Sequence, residues 1–178
     1  VSTTGASDDL EIVFLGFEKS FAGDAVPGGT ILLGFTLTNP SLSGSAQAIA
    51  FTDDLDAVLP GLVAIGLPVS ACGGTADAIP DSGTIDFSGG TLAPGASCTF
   101  EVTLEVPAEA PLGGYTNTTS IVTADIGGQA VAGDAAGVAE DVLMLRSATA
   151  IPALYPLGLL LLVSLVALYG VWALGVKG

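Results

Sequence analysis

The sequence contains no histidine, and only 3 of its 178 residues are lysine or arginine against 18 aspartate or glutamate, a formal net charge of -15. Without histidine the commonest general base, proton shuttle and zinc ligand is missing, which excludes Ser-His-Asp and Cys-His catalysis. So few cations do not neutralise a phosphate backbone, which argues against nucleic acid as a direct partner. Tryptophan occurs once, at Trp172, so no cluster of cleft-lining indoles accompanies the many carboxylate pairs, as a sugar-cleaving acid and base would require. Cys72 and Cys98 are spaced too widely for a C-x-x-C redox pair, and other soft ligands for a metal cluster are absent. The expectation is a protein that is not an enzyme and carries no cofactor.

What is present is segregated along the chain. Half the residues are hydrophobic, 12% are charged, and mean hydropathy is +0.73, a combination that suggests a membrane segment. All 18 acids lie between Asp8 and Asp141, while the 30 residues from Ser147 to Val176 carry no charge. The expected organisation is an acidic domain of net charge -16 over residues 1–146, a linker at 147–156, a transmembrane helix at 157–176 and a short cytoplasmic end at 177–178. Twenty uncharged, mostly aliphatic residues in a helix cover roughly 30 Å, the thickness of a hydrocarbon core. Tyr155 near one end and Tyr169 and Trp172 near the other form an aromatic belt at the membrane interface, with Lys177 beyond it.

Arg146 and Lys177 flank the span too evenly for charge to orient it, so the acidic domain sets the topology. That domain is placed outside, periplasmic or extracellular, and the C-terminus in the cytoplasm of a bacterial cell. The stretch from Val1 to Asp9 is small and polar, and the expectation is a mature N-terminus from which an export signal has been removed. An even cysteine count in an exported domain is most simply one disulfide, the alternative being two buried free thiols. Ser164, Ala167, Gly170 and Ala173 recur every three residues of the span. Either they let a neighbouring helix approach closely or they are the small residues common to any such helix.

Within the acidic domain, short apolar alternations separated by Gly, Pro, Asn and Asp indicate an all-β sandwich. From Thr30 to Thr38 the residues Ile31, Leu33, Phe35 and Leu37 share one face, and Asn39-Pro40 ends the strand. From Ser97 to Glu105 the residues Cys98, Phe100, Val102 and Leu104 do the same. Pro27-Gly28 and Pro94-Gly95 predict a turn at the head of each. Further strands are expected near residues 10–17, 46–53, 83–87, 115–124, 129–132 and 138–145, with hairpins or loops in the Gly-rich stretch 127–137.

Asp53, Asp54 and Asp56 are the densest acids. They are weighed as oxygen ligands for Ca²⁺ and, alternatively, as an Asp-capped turn on a solvated surface. Asn117-Thr118-Thr119 is a formal glycosylation sequon that fits equally well as part of a strand.

Five phrases carry a family likeness: FTLTNPS from Phe35, FTDDLD from Phe51, ACGGT from Ala71, SCTFE from Ser97 and YTNTT from Tyr115. Together they resemble a bacterial surface-protein repeat family of unknown function, related to immunoglobulin-like repeats. Asp56 stands where that family usually has Pro. The resemblance implies an immunoglobulin-like β-sandwich, a Cys72 to Cys98 bridge, a structural or binding role and no catalytic residue. Ile151-Pro152-Ala153-Leu154 ahead of the span is similar to sorting-signal helices that begin Ile-Pro-Thr-Leu, with Ala153 in place of Thr and one basic residue in place of a cluster.

The functional expectation is a non-catalytic single-pass protein acting as an accessory or structural subunit of a larger membrane complex, photosynthetic or respiratory in kind. The competing expectations are a membrane-anchored adhesion or display module and a Ca²⁺-binding surface domain. Expected partners are the lipid bilayer, other integral membrane subunits and basic extracytoplasmic proteins attracted by the acidic domain.

Overall fold

The structure is a computed structural model that describes residues 14–79, 83–132 and 137–148. The described residues form an all-β unit of antiparallel sheets, consistent with a β-sandwich. The strands are β1 (Gly16–Phe21), β2 (Thr30–Thr38), β3 (Ala46–Asp54), β4 (Val63–Ile65), β5 (Val69–Ala71), β6 (Gly74–Ile79), β7 (Thr84–Leu92), β8 (Ser97–Glu105), β9 (Gly113–Thr118), β10 (Thr123–Ile126), β11 (Gln129–Ala132) and β12 (Glu140–Leu145). One helical turn, α1 (Leu55–Val58), follows β3. A sheet ordered β1-β2-β8-β4 faces one ordered β11-β10-β3-β7-β6-β5, and β9 pairs with β12.

The two alternating runs are neighbours. β2 and β8 pair along their whole length, from Thr30 opposite Glu105 to Thr38 opposite Ser97. Ile31, Leu33, Phe35 and Leu37 are buried, as are Phe100, Val102 and Leu104. On the other face the hydroxyls of Thr36 and Thr99, and of Thr38 and Ser97, bond across the strands at 2.9 Å each. Such cross-strand pairs fix register while the apolar faces drive burial. The two Pro-Gly turns are also alike: Gly29 N donates to Val26 O and Ala96 N to Ala93 O, with Gly28 at φ 76° and Gly95 at φ 68°. That is the type II turn, which favours Pro at its second position and glycine at its third.

Between the sheets lies a phenylalanine cluster, with Phe51 of β3 at 4.4 Å from Phe17, 5.1 Å from Phe35 and 5.2 Å from Phe87 by ring centroids. These offset and tilted pairs add to what burial alone contributes.

Several expectations are corrected. Of the strand expected near 10–17, residues 10–13 lie outside the described residues; among the described ones β1 begins at Gly16 and runs on past 17 through Lys19 to Phe21. The run 115–124 is two strands, because the segment between them leaves one sheet for another: Thr119 N bonds Ala139 O, Ser120 N bonds Thr52 O and Val122 N bonds Gly137 O. β4, β5 and β6 went unanticipated; two are three residues long, and β6 has Ile79 as its one large apolar residue and so no apolar rhythm. Of the hairpins or loops expected over 127–137, a hairpin is present with Gly127 at φ 61° and Gly128 at φ 86° between β10 and β11, the two-residue turn that matches strand twist, while residues 133–136 lie outside the described ones.

The C-G-G phrase has a steric cause. A Cβ on Gly74 would lie 2.4 Å from Ser88 O and 2.6 Å from Gly90 N, both backbone atoms of the adjoining strand β7. Gly74→Ala is therefore expected to lower the urea unfolding free energy by about 2–3 kcal/mol, near the top of the overpacking range, because backbone cannot rotate away.

Among the described residues no helix is long and apolar enough to cross a membrane. The expected span at 157–176 lies outside the described residues, and so do Tyr155, Ser164, Ala167, Tyr169, Gly170, Trp172, Ala173 and Lys177.

Candidate functional site

Cys72 and Cys98 form a disulfide, with their Cα atoms 5.7 Å apart. Cys98 sits in β8 opposite Leu37, whereas Cys72 occupies the turn between β5 and β6, so the bond joins the four-stranded sheet to the six-stranded one. Cys72 holds φ 49°, and its carbonyl accepts from Thr91 N at 2.8 Å. The turn is thus tied to β7 by a backbone hydrogen bond and to β8 by sulfur.

A second link between layers is polar and lies deep in the core. Lys19 of β1 and Asp53 of β3 have side chains with 0% exposure, and Nζ donates to Oδ2 at 2.8 Å. Asn117 of β9, also fully buried, donates from Nδ2 to the same oxygen at 3.2 Å. Three strands from three sheets therefore meet on one carboxylate oxygen. The Phe35 ring lies 5.7 Å from Nζ on the same cluster, a favourable cation–π position. Burial pulls the Lys19 amine below the ordinary lysine range, opposed by the charge and hydrogen bond of Asp53 and by the charges of Asp141 and Glu140.

The surroundings hold Asn117 in this place. Its cross-strand partner on β12 is Asp141, whose Oδ2 accepts from Phe21 N of β1 at 2.7 Å. Just after β9, Ser120 N donates to Thr52 O and Thr52 N to Ser120 Oγ, each at 2.8 Å. β9 is thereby fastened beside both Lys19 and Asp53. Yet Asp53 Oδ1 and Asn117 Oδ1 have no hydrogen-bond partner, although both are buried. Buried oxygens are normally satisfied, and this pair departs from that rule.

Sequence reading missed Lys19. The available signal was parity: Phe17, Lys19 and Phe21 share the inward face of β1, just as Ile49, Phe51 and Asp53 share that of β3. A lysine and an aspartate on inward positions of two strands belong to one pair or to none.

The three clustered acids serve separate ends. Asp53 faces inward to Lys19, Asp54 caps α1 by accepting from Ala57 N at 3.1 Å, and Asp56 accepts from Gly61 N at 2.7 Å. Asp54 and Asp56 thus follow the Asp-capped turn, whereas Asp53 is core. Asn117 of the sequon lies buried in β9 rather than on a surface loop.

The T-L-T-N-P phrase ends on another buried polar residue. Asn39 donates from Nδ2 to Gly44 O at 2.9 Å and Ala93 O at 3.1 Å, and its Oδ1 accepts from Ser41 N at 3.2 Å. It ties the end of β2 to the loop before β8. Asn39→Ala is expected to cost about 2–3 kcal/mol in urea unfolding, since the buried groups it serves lose their partner, while Asn39→Asp leaves only the Ser41 contact intact.

A family model described as "Domain of unknown function (DUF7933)" matches residues 16–143. No curated protein matches the chain. Among solved structures, a cohesin module from a family 33 glycoside hydrolase of Clostridium perfringens ATCC13124 is similar at TM-score 0.48 and 7% identity, covering 74% of this chain and 98% of that one. BslA, a bacterial hydrophobin, is similar at TM-score 0.37 and 14% identity, covering 75% of this chain and 96% of its own.

Proposed function

The chain belongs to the family described as domain of unknown function DUF7933, and we propose that it is a non-catalytic display module of the bacterial surface. In this reading an immunoglobulin-like β-sandwich stands outside the cytoplasm, and the 157–176 span holds it to the membrane. The observation that carries it is the Cys72–Cys98 bond between the two sheets, since such bonds persist in oxidising compartments and are rare in the cytosol. A module braced across its layers suits a role as spacer or adhesive head, where resistance to unfolding outside the cell matters.

A second reading, an accessory subunit of a membrane complex, is favoured by the charge distribution. Of the two cations among the described residues, Lys19 is buried on Asp53 and Arg146 pairs with Asp24. The other carboxylates among the described residues, none of them buried, have little local cationic compensation, as suits a basic partner face bound in a salt-dependent way.

Solubilising membranes in mild detergent and purifying the full chain decides between them. Recovery as a separate protein that protease removes from intact cells supports the display module. Co-purification with a stoichiometric membrane complex, released by salt, supports the subunit, and cytoplasmic recovery with reduced cysteines overturns both.

A further inference from the structure

We propose that Lys19 and Asn117 become joined by an amide bond between their side chains, with Asp53 as the proton carrier. Nζ of Lys19 and Nδ2 of Asn117 are both hydrogen-bonded to Asp53 Oδ2, at 2.8 Å and 3.2 Å. All three side chains are fully buried. They are therefore held together without competing water, which is the condition for high effective concentration between two groups. A lysine amine desolvated in an apolar pocket is a nucleophile, and here the phenylalanines around Phe35 and Phe51 supply that pocket. Its lowered pKa favours the neutral amine that attack requires.

The reaction balances within the cluster. The Lys19 ammonium gives one proton to Asp53, and the resulting amine attacks Cγ of Asn117. The Nζ–Cγ bond forms, the Cγ–Nδ2 bond breaks, and a second Nζ proton passes to Nδ2, which leaves as ammonia. The new amide keeps one N–H, and Asp53 keeps the first proton until it equilibrates with solvent. No oxidant, reductant or further reactant is needed.

The two unpartnered oxygens, Asp53 Oδ1 and Asn117 Oδ1, bear on the same step. A proton on Asp53 gives this pair of acceptors a donor, and a donor on Asn117 Oδ1 would stabilise the oxyanion that forms as the amine adds. With the proton on Asp53, the product also replaces a buried ion pair by a neutral amide and a neutral acid. Lys19 lies on the first described strand and Asn117 on β9, so the bond would close the chain from β1 to β9 into a ring. The Cys72–Cys98 bond is nested inside that ring.

The test is the mass of the full chain purified in detergent, with the disulfide reduced and the protein denatured. The expected mass is one molecule of ammonia below that of the sequence. Digestion with a protease specific for acidic residues should yield segment 19–24 covalently joined to segment 110–125, a branch that Asn117→Ala and Lys19→Arg remove. Asp53→Asn should leave those segments unjoined, and because masses are read on denatured chains the result does not depend on the variants' stability. A wild-type mass equal to the sequence value overturns the proposal. So does a loss of water, which would place the link on Asp53, or a loss of ammonia confined to segment 110–125, which would mean cyclisation of Asn117 alone. Either outcome leaves the display reading standing, since that reading rests on the disulfide.

Discussion

Asp53→Ala is expected to lower the unfolding free energy of the domain by at least about 3–5 kcal/mol, measured by urea denaturation of the folded unit. The reason is what remains. Lys19 is left with 0% side-chain exposure and no carboxylate, and Asn117 loses the acceptor for its Nδ2. Taking an ammonium out of water without a partner is among the largest single penalties a core can carry. The variant also loses the proton carrier for amide formation, so a cross-link contributes to the difference if the wild type has one. A paired substitution separates the terms. Lys19→Met with Asp53→Leu removes both charges together, and a bare ion pair replaced in this way is commonly neutral or even stabilising. The double variant still leaves Asn117 Nδ2 buried without its acceptor, so only a loss beyond the about 1–3 kcal/mol which that orphaned donor costs belongs to the covalent bond. If Asp53→Ala costs less than about 1 kcal/mol, the buried pair is not as placed here.

The parts of the fold that were legible in the sequence are those whose sides differ. β2 and β8 keep large aliphatic or aromatic residues on one parity, and mostly Thr, Ser or Glu on the other, so their limits, their facing and the Pro-Gly turn at the head of each could be read directly. An Asp-capped turn at Asp54 and Asp56, and a hairpin or loop after residue 126, follow from local chemistry in the same way. What was not legible depends on partners distant in sequence. β6 is recognisable as a strand only beside β7, where the glycines let two backbones approach closely. The break between β9 and β10 is set by hydrogen bonds from residues 119–122 to Ala139, Thr52 and Gly137. Asp53 illustrates the limit most clearly. Its neighbours Asp54 and Asp56 make it look like one member of a surface cluster, but parity in β3 turns it inward, and only the fold reveals Lys19 waiting there.

Reducing Cys72–Cys98, or replacing both cysteines by serine, is expected to cost about 3–4 kcal/mol on the chain-entropy account for a separation of 26 residues. The loss should be uneven. β5 has three residues and pairs only with β6, so it is an edge with few bonds of its own, whereas β8 is held by β2 on one side and β4 on the other. Cutting the sulfur link frees the β5 edge while leaving the β2-β8 ladder whole. Hydrogen exchange should therefore quicken first at Val69–Ala71, ahead of any change at Ile31 to Leu37. Comparison with Asp53→Ala then distinguishes two kinds of brace. The disulfide ties an edge hairpin to the opposite sheet, and the Lys19, Asp53 and Asn117 cluster ties the C-terminal end of β3 to β1 and β9. Loss of the cluster should raise exchange in the central strands together. Uniform exchange across β5 and β2 after reduction would mean that the sulfur link governs the whole sandwich, and the cluster would then be secondary to it.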